Sequence, residues 1–514
     1  MPLDRSSGIL LHISSLPSRG GIGDLGTAAY EFADFLQASR QQRWQVLPLG
    51  PPGYGDSPYA GLSAFAGNPL LISLEKLAEA GWIARERIDE GRIAGETGSG
   101  DGRFDERFHV RFEEVKRWKL PLLVEAARNF LERHAEDQWE QFRQFCRNNA
   151  YWLDDYALFL VLRSEFQCGS WRDWPRPAAH RDAQTLRELA EKFQAELETE
   201  RAIQFAFHHQ WCALRRYCAE RKIRLIGDLA IFVSDDSADV WTHPEIFDLR
   251  PDLLPVHVAG VPPDYFSADG QRWGNPLYRW DVLEREGFSW WVDRMRRAHE
   301  LYDIIRLDHF RGFEAFWEIP AENPTAVNGR WVKAPGAALF TRLREEFGSL
   351  QFIAEDLGVI TPEVVALREQ FGFPGMRVLQ FGFSGPGARI YLPHRYQTNT
   401  VVYTGTHDND TTLGWWTHGA SAAERSALQA YLNPGGDGVV WAMIRAASAS
   451  VADLCLFPAQ DVLGLGSEAR MNTPSKAEGN WGWRVAPGAF TAEMADRLAT
   501  RAEVTDRTGD EPES

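Results

Sequence analysis

Eight short runs of aliphatic and β-branched residues, with helix-like stretches between them, constrain this chain more than any other feature. They are GILLHI (8–13), WQVLPLG (44–50), IRLIGDLA (223–230), DIIRLDHF (303–310), QFIAEDLG (351–358), MRVLQFGF (376–383), TVVYTGTHDN (400–409) and ADLCLFPAQD (452–461). Strands that alternate with helices predict a parallel sheet, either doubly wound or closed. Polar residues gather at the carboxyl ends of several runs, where barrel enzymes build their sites. The expected fold class is therefore α/β, a (β/α)8 TIM barrel.

The runs are unevenly spaced. About 170 residues separate the second from the third and about 70 the third from the fourth. In the first gap Leu123, Ala127, Phe130 and Leu131 recur at helical spacing, as do the apolar residues of NNAYWLDDYALFLVLRSEF. In the second, VPPDYFSADGQRWGNPLYRW shows no period and reads as a structured loop over a site. The expected organisation is a discontinuous catalytic barrel (1–54, 222–240 and 300–500), a largely helical insertion (55–221), an aromatic, Gly- and Pro-rich loop insertion covering the site (241–299), and a disordered acidic tail (501–514).

With 72 acidic against 55 basic residues the chain carries a formal charge of -17. Bulk electrostatics then disfavour nucleic acid as a partner. No apolar stretch approaches the ~18 residues of a membrane helix, and five cysteines without C-x-x-C spacing suit a reducing compartment. No membrane association and a cytoplasmic location are expected. The 20 tryptophans are about three times ordinary usage; such rings fill cores, but they also stack on sugar faces.

Residues 21–26, GIGDLG, match the G-x-G-x-x-G dinucleotide pattern. The surroundings fit poorly. SSLPSRG intervenes between strand and turn, and the next run ends in Leu49 and Gly50 where a ribose-binding acid belongs.

Four carboxylates, Asp228, Asp308, Glu355 and Asp408, sit at or just beyond apolar runs. Burying such groups is costly unless they are paired or used. One alone suggests a salt bridge or helix cap, but four on one barrel face suggest a site. Arg306 and Asp308 share a side of their strand by period two. Two carboxylates flanking one bond are the equipment of glycoside chemistry. Metal catalysis through His12, His309, His407 and the acids is an alternative, although no H-E-x-x-H or cysteine cluster is present. Asp356 competes with Glu355, since adjacent strand residues face opposite ways and only one can enter the site.

RLDHFRGFEAFWEIP, AEDLG and THDN resemble the catalytic blocks of the α-amylase superfamily, in the wording of the 4-α-glucanotransferases called amylomaltases or disproportionating enzymes. GDSPYAGLSAFAGNPLLISLE, IGDLAIFVSDDSADVW, GVPPDYFSADGQRWGNPLYRW, AVNGRWVKAPGAALF and RMNTPSKAEGNWGWR continue the likeness in order, over about residues 5–485. The resemblance implies Asp308 as nucleophile, Glu355 as general acid and base, and Asp408 as the acid that stabilises the transition state. It places Tyr59, Asp228, Arg306, His309, His407 and Asn472 around the sugar. Tyr265, Phe266 and Trp273 of the aromatic insertion are candidates for a lid that binds substrate and excludes water. Its substrates would be maltooligosaccharides and α-1,4-glucans, handled by retaining double displacement with no cofactor and no metal. A hydrolase with the same acids is the nearest alternative; a glucan-binding module with a dead site is the more distant one. In that family the glycines of GIGDLG form a tight turn.

Overall fold

The computed structural model describes residues 3–89, 109–167, 169–263, 267–349, 351–476 and 478–509. In chain order its strands are β1 (Ser6–Leu10), β2 (Arg43–Gln45), β3 (Arg224–Ala230), β4 (His257–Val261), β5 (Gln271–Pro276), β6 (Ile304–Asp308), β7 (Ala315–Pro320), β8 (Arg330–Lys333), β9 (Phe352–Ala354), β10 (Gly375–Val378), β11 (Thr400–Tyr403) and β12 (Leu454–Pro458). Eight of them, one within or overlapping each apolar run, close into a parallel barrel in the order β1-β2-β3-β6-β9-β10-β11-β12. The fold is a (β/α)8 barrel. Most strands are shorter than their runs; the run at 376–383, for instance, leaves β10 after Val378 and finishes as a 3-10 turn, Leu379–Phe383.

Period two divides each strand between two cores. Ile226, Ile304, Ile353, Met376, Val401, Tyr403, Leu454 and Leu456 form one buried cluster with Leu3, whereas Leu225, Ile305, Leu307, Val402 and Cys455 join the larger core shared with the helices. Branched side chains from successive strands fill such a barrel, so its interior is packed and only its rim is free for chemistry.

The first insertion is helical, with long helices at Phe112–Arg133, Glu136–Phe166 and Gln194–Glu220. They pack through rings: Trp82 stacks on Phe130 at 4.0 Å between centroids, and Phe142 meets Phe205 at 5.6 Å. Much of the tryptophan surplus goes into packing, since Trp44, Trp171, Trp211, Trp241 and Trp291 are fully buried.

The second insertion differs from the expected loop. Within 241–299, β4 and β5 pair antiparallel, and β4 also pairs with β7, which pairs with β8. The four-stranded sheet β5-β4-β7-β8 thus draws residues 315–333 out of the segment assigned to the barrel. Its strands are short and rich in Gly and Pro, which hides their alternation. Gly260 is required there, because a Cβ would stand 2.1 Å from the carbonyl oxygen of Gln271. The same interval holds the helices Trp280–Arg285 and Ser289–Leu301.

The tail is another correction. Helix Ala492–Glu503 carries the chain back beneath the barrel, where Arg507 is fully buried. Its guanidinium donates to the carbonyls of Ser448, Ser6, Asp453, Ser450 and Ala452 at 2.8 to 3.1 Å, so order extends to the last described residue, Gly509. Residues 510–514 lie outside the described ones. The acidic composition concealed a single anchoring arginine.

GIGDLG is a packing turn. A Cβ on Gly23 would lie 2.0 Å from the carbonyl oxygen of Ile13. The N–H of Gly26, ahead of helix Thr27–Ala38, donates to the buried carboxylate of Asp24 at 2.9 Å. A carboxylate occupies the place that a pyrophosphate would need.

Candidate active site

Asp308 is the last residue of β6, and alternation turns it, with Arg306 and Ile304, to the barrel interior. Arg306 Nη1 lies 2.9 Å from Asp308 Oδ1 and donates to both oxygens of Asp228 at 2.7 and 2.6 Å. Asp228 stands opposite Arg306 in register on β3 and also accepts the Tyr59 hydroxyl at 2.9 Å. Its side chain is fully enclosed. Both of its oxygens are engaged by Arg306, and one also by Tyr59. Burial works against the charge on Arg306, but Asp228 and then Asp308 outweigh it and hold the guanidinium pKa well above its usual value.

Glu355 follows β9 directly. Its N–H donates to the carbonyl of Leu307 at 3.1 Å, and Phe310 N–H donates to the Glu355 carbonyl at 3.1 Å, so pairing between these neighbouring strands continues beyond their ends. His309 has a left-handed backbone (φ 52°), and its N–H donates to Glu355 Oε2 at 2.8 Å. Leu357 N–H donates to Oε1 at 3.0 Å. Burial, and second the charge of Asp308, push Glu355 up to about 8. Asp356 faces away: it is buried, accepts from Met376 N–H at 2.7 Å, and has Arg368 and Arg377 each at 3.5 Å. The structure thus separates the two rival acids.

After β11 the segment THDN turns back on itself, with Asn409 Oδ1 accepting the N–H and hydroxyl of Thr406 at 2.9 Å. That turn presents His407 and Asp408. Asp408 Oδ1 accepts from Asn472 Nδ2 at 2.6 Å, and Oδ2 lies 3.4 Å from His407 Nε2. Nearly half of the Asp408 side chain is exposed. Arg470 ties this corner by donating to the carbonyls of Asp408 at 2.7 Å and Asn472 at 2.8 Å.

Rings line one side. Tyr59 stacks on His407 with centroids 5.2 Å apart, and Trp481 tilts against both at 5.8 and 6.0 Å. Trp481 and Arg470 were not singled out in the sequence, although Trp481 belongs to the quoted block GNWGWR. Across the site Trp273, 39 % exposed on β5, meets the His309 ring edge-on at 4.8 Å. Tyr265 and Phe266 lie outside the described residues. Burial lowers His309 to about 4; burial and then His407 lower His12 to about 3. Both imidazoles are neutral near pH 7. Among the described residues no group of three or more His, Cys, Asp or Glu is arranged to hold a metal ion, and no helix is long and apolar enough to cross a membrane.

A parallel eightfold barrel whose rim carries an arginine-paired aspartate beside a second carboxyl has the equipment of an enzyme of glycosidic bonds. Residues 11–490 match the family model described as 4-alpha-glucanotransferase; the chain belongs to that family, and its activity is transfer of α-1,4-glucan segments. It is 50 % identical to a 4-alpha-glucanotransferase of Thermus thermophilus over 99 % of this chain and 100 % of that protein. A Synechocystis 4-alpha-glucanotransferase is 43 % identical over 98 % of each chain. Among solved structures, an amylomaltase from Streptococcus agalactiae in complex with acarbose superposes with a TM-score of 0.92 at 35 % identity, covering 98 % of this chain and 99 % of that one.

Proposed function

We propose that the chain disproportionates maltooligosaccharides by retaining double displacement, with Asp308 as nucleophile and Glu355 as acid and then base. The observation that carries this reading is the geometry of the rim, where Arg306 Nη1 lies 2.9 Å from Asp308 Oδ1 and the His309 N–H, next to Asp308, holds Glu355 Oε2 at 2.8 Å. Arg306 orients Asp308 and stabilises its negative charge for attack on the anomeric carbon. Glu355, protonated near pH 7, gives its proton to the departing glycosidic oxygen as the glycosyl–Asp308 ester forms. Esterification removes the charge of Asp308. One cause of the raised pKa disappears, while the N–H groups of His309 and Leu357 still favour the carboxylate, so Glu355 becomes the base. It takes the proton from the 4-hydroxyl of an acceptor glucan, which attacks the ester and releases Asp308.

Asp408, steadied by Asn472, receives hydroxyls of the distorted sugar, and the Tyr59 ring stacks on it. His309 and His407 flank the same ring. The acceptor must outrun water at about 55 M, which positioning can achieve at effective molarities of ~10⁵ M; Trp273 serves by covering the mouth. Free thiols at Cys146, Cys212, Cys218 and Cys455 support a cytoplasmic setting.

The test is incubation with maltotriose alone. Glucose and longer maltodextrins at constant total reducing ends support the proposal; rising reducing ends contradict it.

A further inference from the structure

Asp308 and Glu355 rise from different strands, so the gap between them depends on how two loops are joined. Near the barrel the join is made by main chain, through Glu355 to Leu307, Phe310 to Glu355, and His309 to Glu355 Oε2. Farther out it is made by a side chain. Arg311, three residues beyond Asp308, donates through Nη1 to the carbonyl of Val359, four residues beyond Glu355.

Arg311 is an expensive tie. It is only 7 % exposed, its Nε is buried without a hydrogen-bond partner, and among the described residues no carboxylate lies within ion-pairing distance. Among the described residues only the carboxylates of Glu314 and Glu363, beyond ion-pairing distance, offset its burial, so the charge needs another reason to persist. Its guanidinium carbon lies 3.6 Å from the ring centroid of Trp331. Trp331 sits on β8, the edge strand of the antiparallel sheet, opposite Trp317 at 5.2 Å between rings. The sheet therefore reaches across to hold Arg311 in place.

We propose that Arg311 and Trp331 form a positioning pair that sets the separation of the Asp308 and Glu355 carboxyls, with the antiparallel sheet as the brace. The inference rests on the roles proposed above for those two acids. Retaining chemistry needs the carboxyls about 5 to 5.5 Å apart, against about 6.5 to 9.5 Å for inversion, and a 1 Å misplacement can cost about a hundredfold in rate. Without the Trp331 face the guanidinium is free to turn to solvent and the Val359 loop to drift. Glu355 would then move away from Asp308 and gain water, and both changes lower its pKa.

Charge effects can be told from geometry. The titratable groups facing Glu355 are Asp308 and Arg306 of β6, Asp356 of its own loop and Tyr391 of the 386–391 turn, with the His309 imidazole neutral; Glu314 and Glu363 act on Arg311. Trp331 is uncharged, so replacing it removes no charge, and a change in the pH profile reports the displacement that follows.

The experiment is the pH dependence of kcat and kcat/KM on maltotriose for the wild type, Trp331→Ala, Trp331→Leu, Trp331→Phe and Arg311→Lys, with melting curves for each. Trp331 is 36 % exposed on an edge strand, and Leu retains apolar cover without a π face. Ala, Leu and Lys are expected to lower kcat about ten- to a hundredfold with KM within about twofold. The alkaline limb should move acidward by about half a unit or more, and Phe should restore both. Folded Leu or Ala variants with wild-type kcat and an unmoved limb overturn the proposal, as does a rise in KM at constant kcat, which makes Trp331 a substrate contact. If the wild-type limb persists in Glu355→Gln, the parent assignment fails instead.

Discussion

The main-chain N–H of His309 donates to Oε2 of Glu355 from a left-handed backbone, at 2.8 Å. That conformation is uncommon for any residue but glycine. The turn after Asp308 thereby presents a donor to the neighbouring acid, and local strain at an active site commonly has such a use.

Glu355 has a consequence for stability. Its folded pKa of about 8 stands above an unfolded value near 4.3, so between these limits the native state binds more protons than the unfolded one. Stability then falls as pH rises through that window. Glu355→Gln removes the titration. Its melting temperature relative to wild type should climb between about pH 4.5 and pH 8 and level above. A difference flat with pH would contradict the raised pKa.

Trp273 is proposed to keep water from the ester. Trp273→Ala should raise the ratio of hydrolysis to transfer on maltotriose about threefold or more, read as new reducing ends per transfer event. An unchanged ratio assigns the ring to packing against His309 and Phe232, which it meets at 4.8 and 6.5 Å.

Asn472 holds one oxygen of Asp408 at 2.6 Å, while the side chain of Asp408 remains nearly half exposed to the mouth. If Asp408 acts in the transition state, Asn472→Ala should lower kcat and kcat/KM together by about tenfold. A change confined to KM would show that Asp408 only binds the ground state.

Arg507 lies at the opposite end of the barrel, where β1 and β12 begin. Arg507→Ala strips five carbonyls of a buried donor and should cost about 3 kcal/mol of stability, read by denaturant unfolding. Maltotriose kinetics of the folded fraction should be unchanged. Lost activity without lost stability would contradict a purely structural role.

The barrel was legible because its strands are buried on both faces and read as continuous apolar runs. The antiparallel sheet was not: β8 is largely exposed and β5 partly so, Gly260 and Gly274 interrupt β4 and β5, and β7 pairs with β4, far away in the chain. In the site, alternation places Arg306 with Asp308 from the sequence alone. The resemblance supplied Glu355 over Asp356. The enclosure of Asp228, the contacts of Trp481 and the Arg311–Trp331 stack depend on side chains brought together from separate loops, which no local pattern records. The lid candidates Tyr265 and Phe266 fall outside the described residues, so Trp273 alone carries that expectation.

The central claim is a covalent glycosyl ester on Asp308, and trapping it tests that claim most directly. Fluoride leaves without a proton, so α-maltosyl fluoride should glycosylate the Glu355→Gln variant while the missing base slows release to an acceptor. Mass spectrometry of a peptic digest should then find a maltosyl group on the peptide containing Asp308, and Asp308→Asn should abolish it. A maltosyl group on another residue, or turnover to the β-anomer with no adduct, would contradict the account.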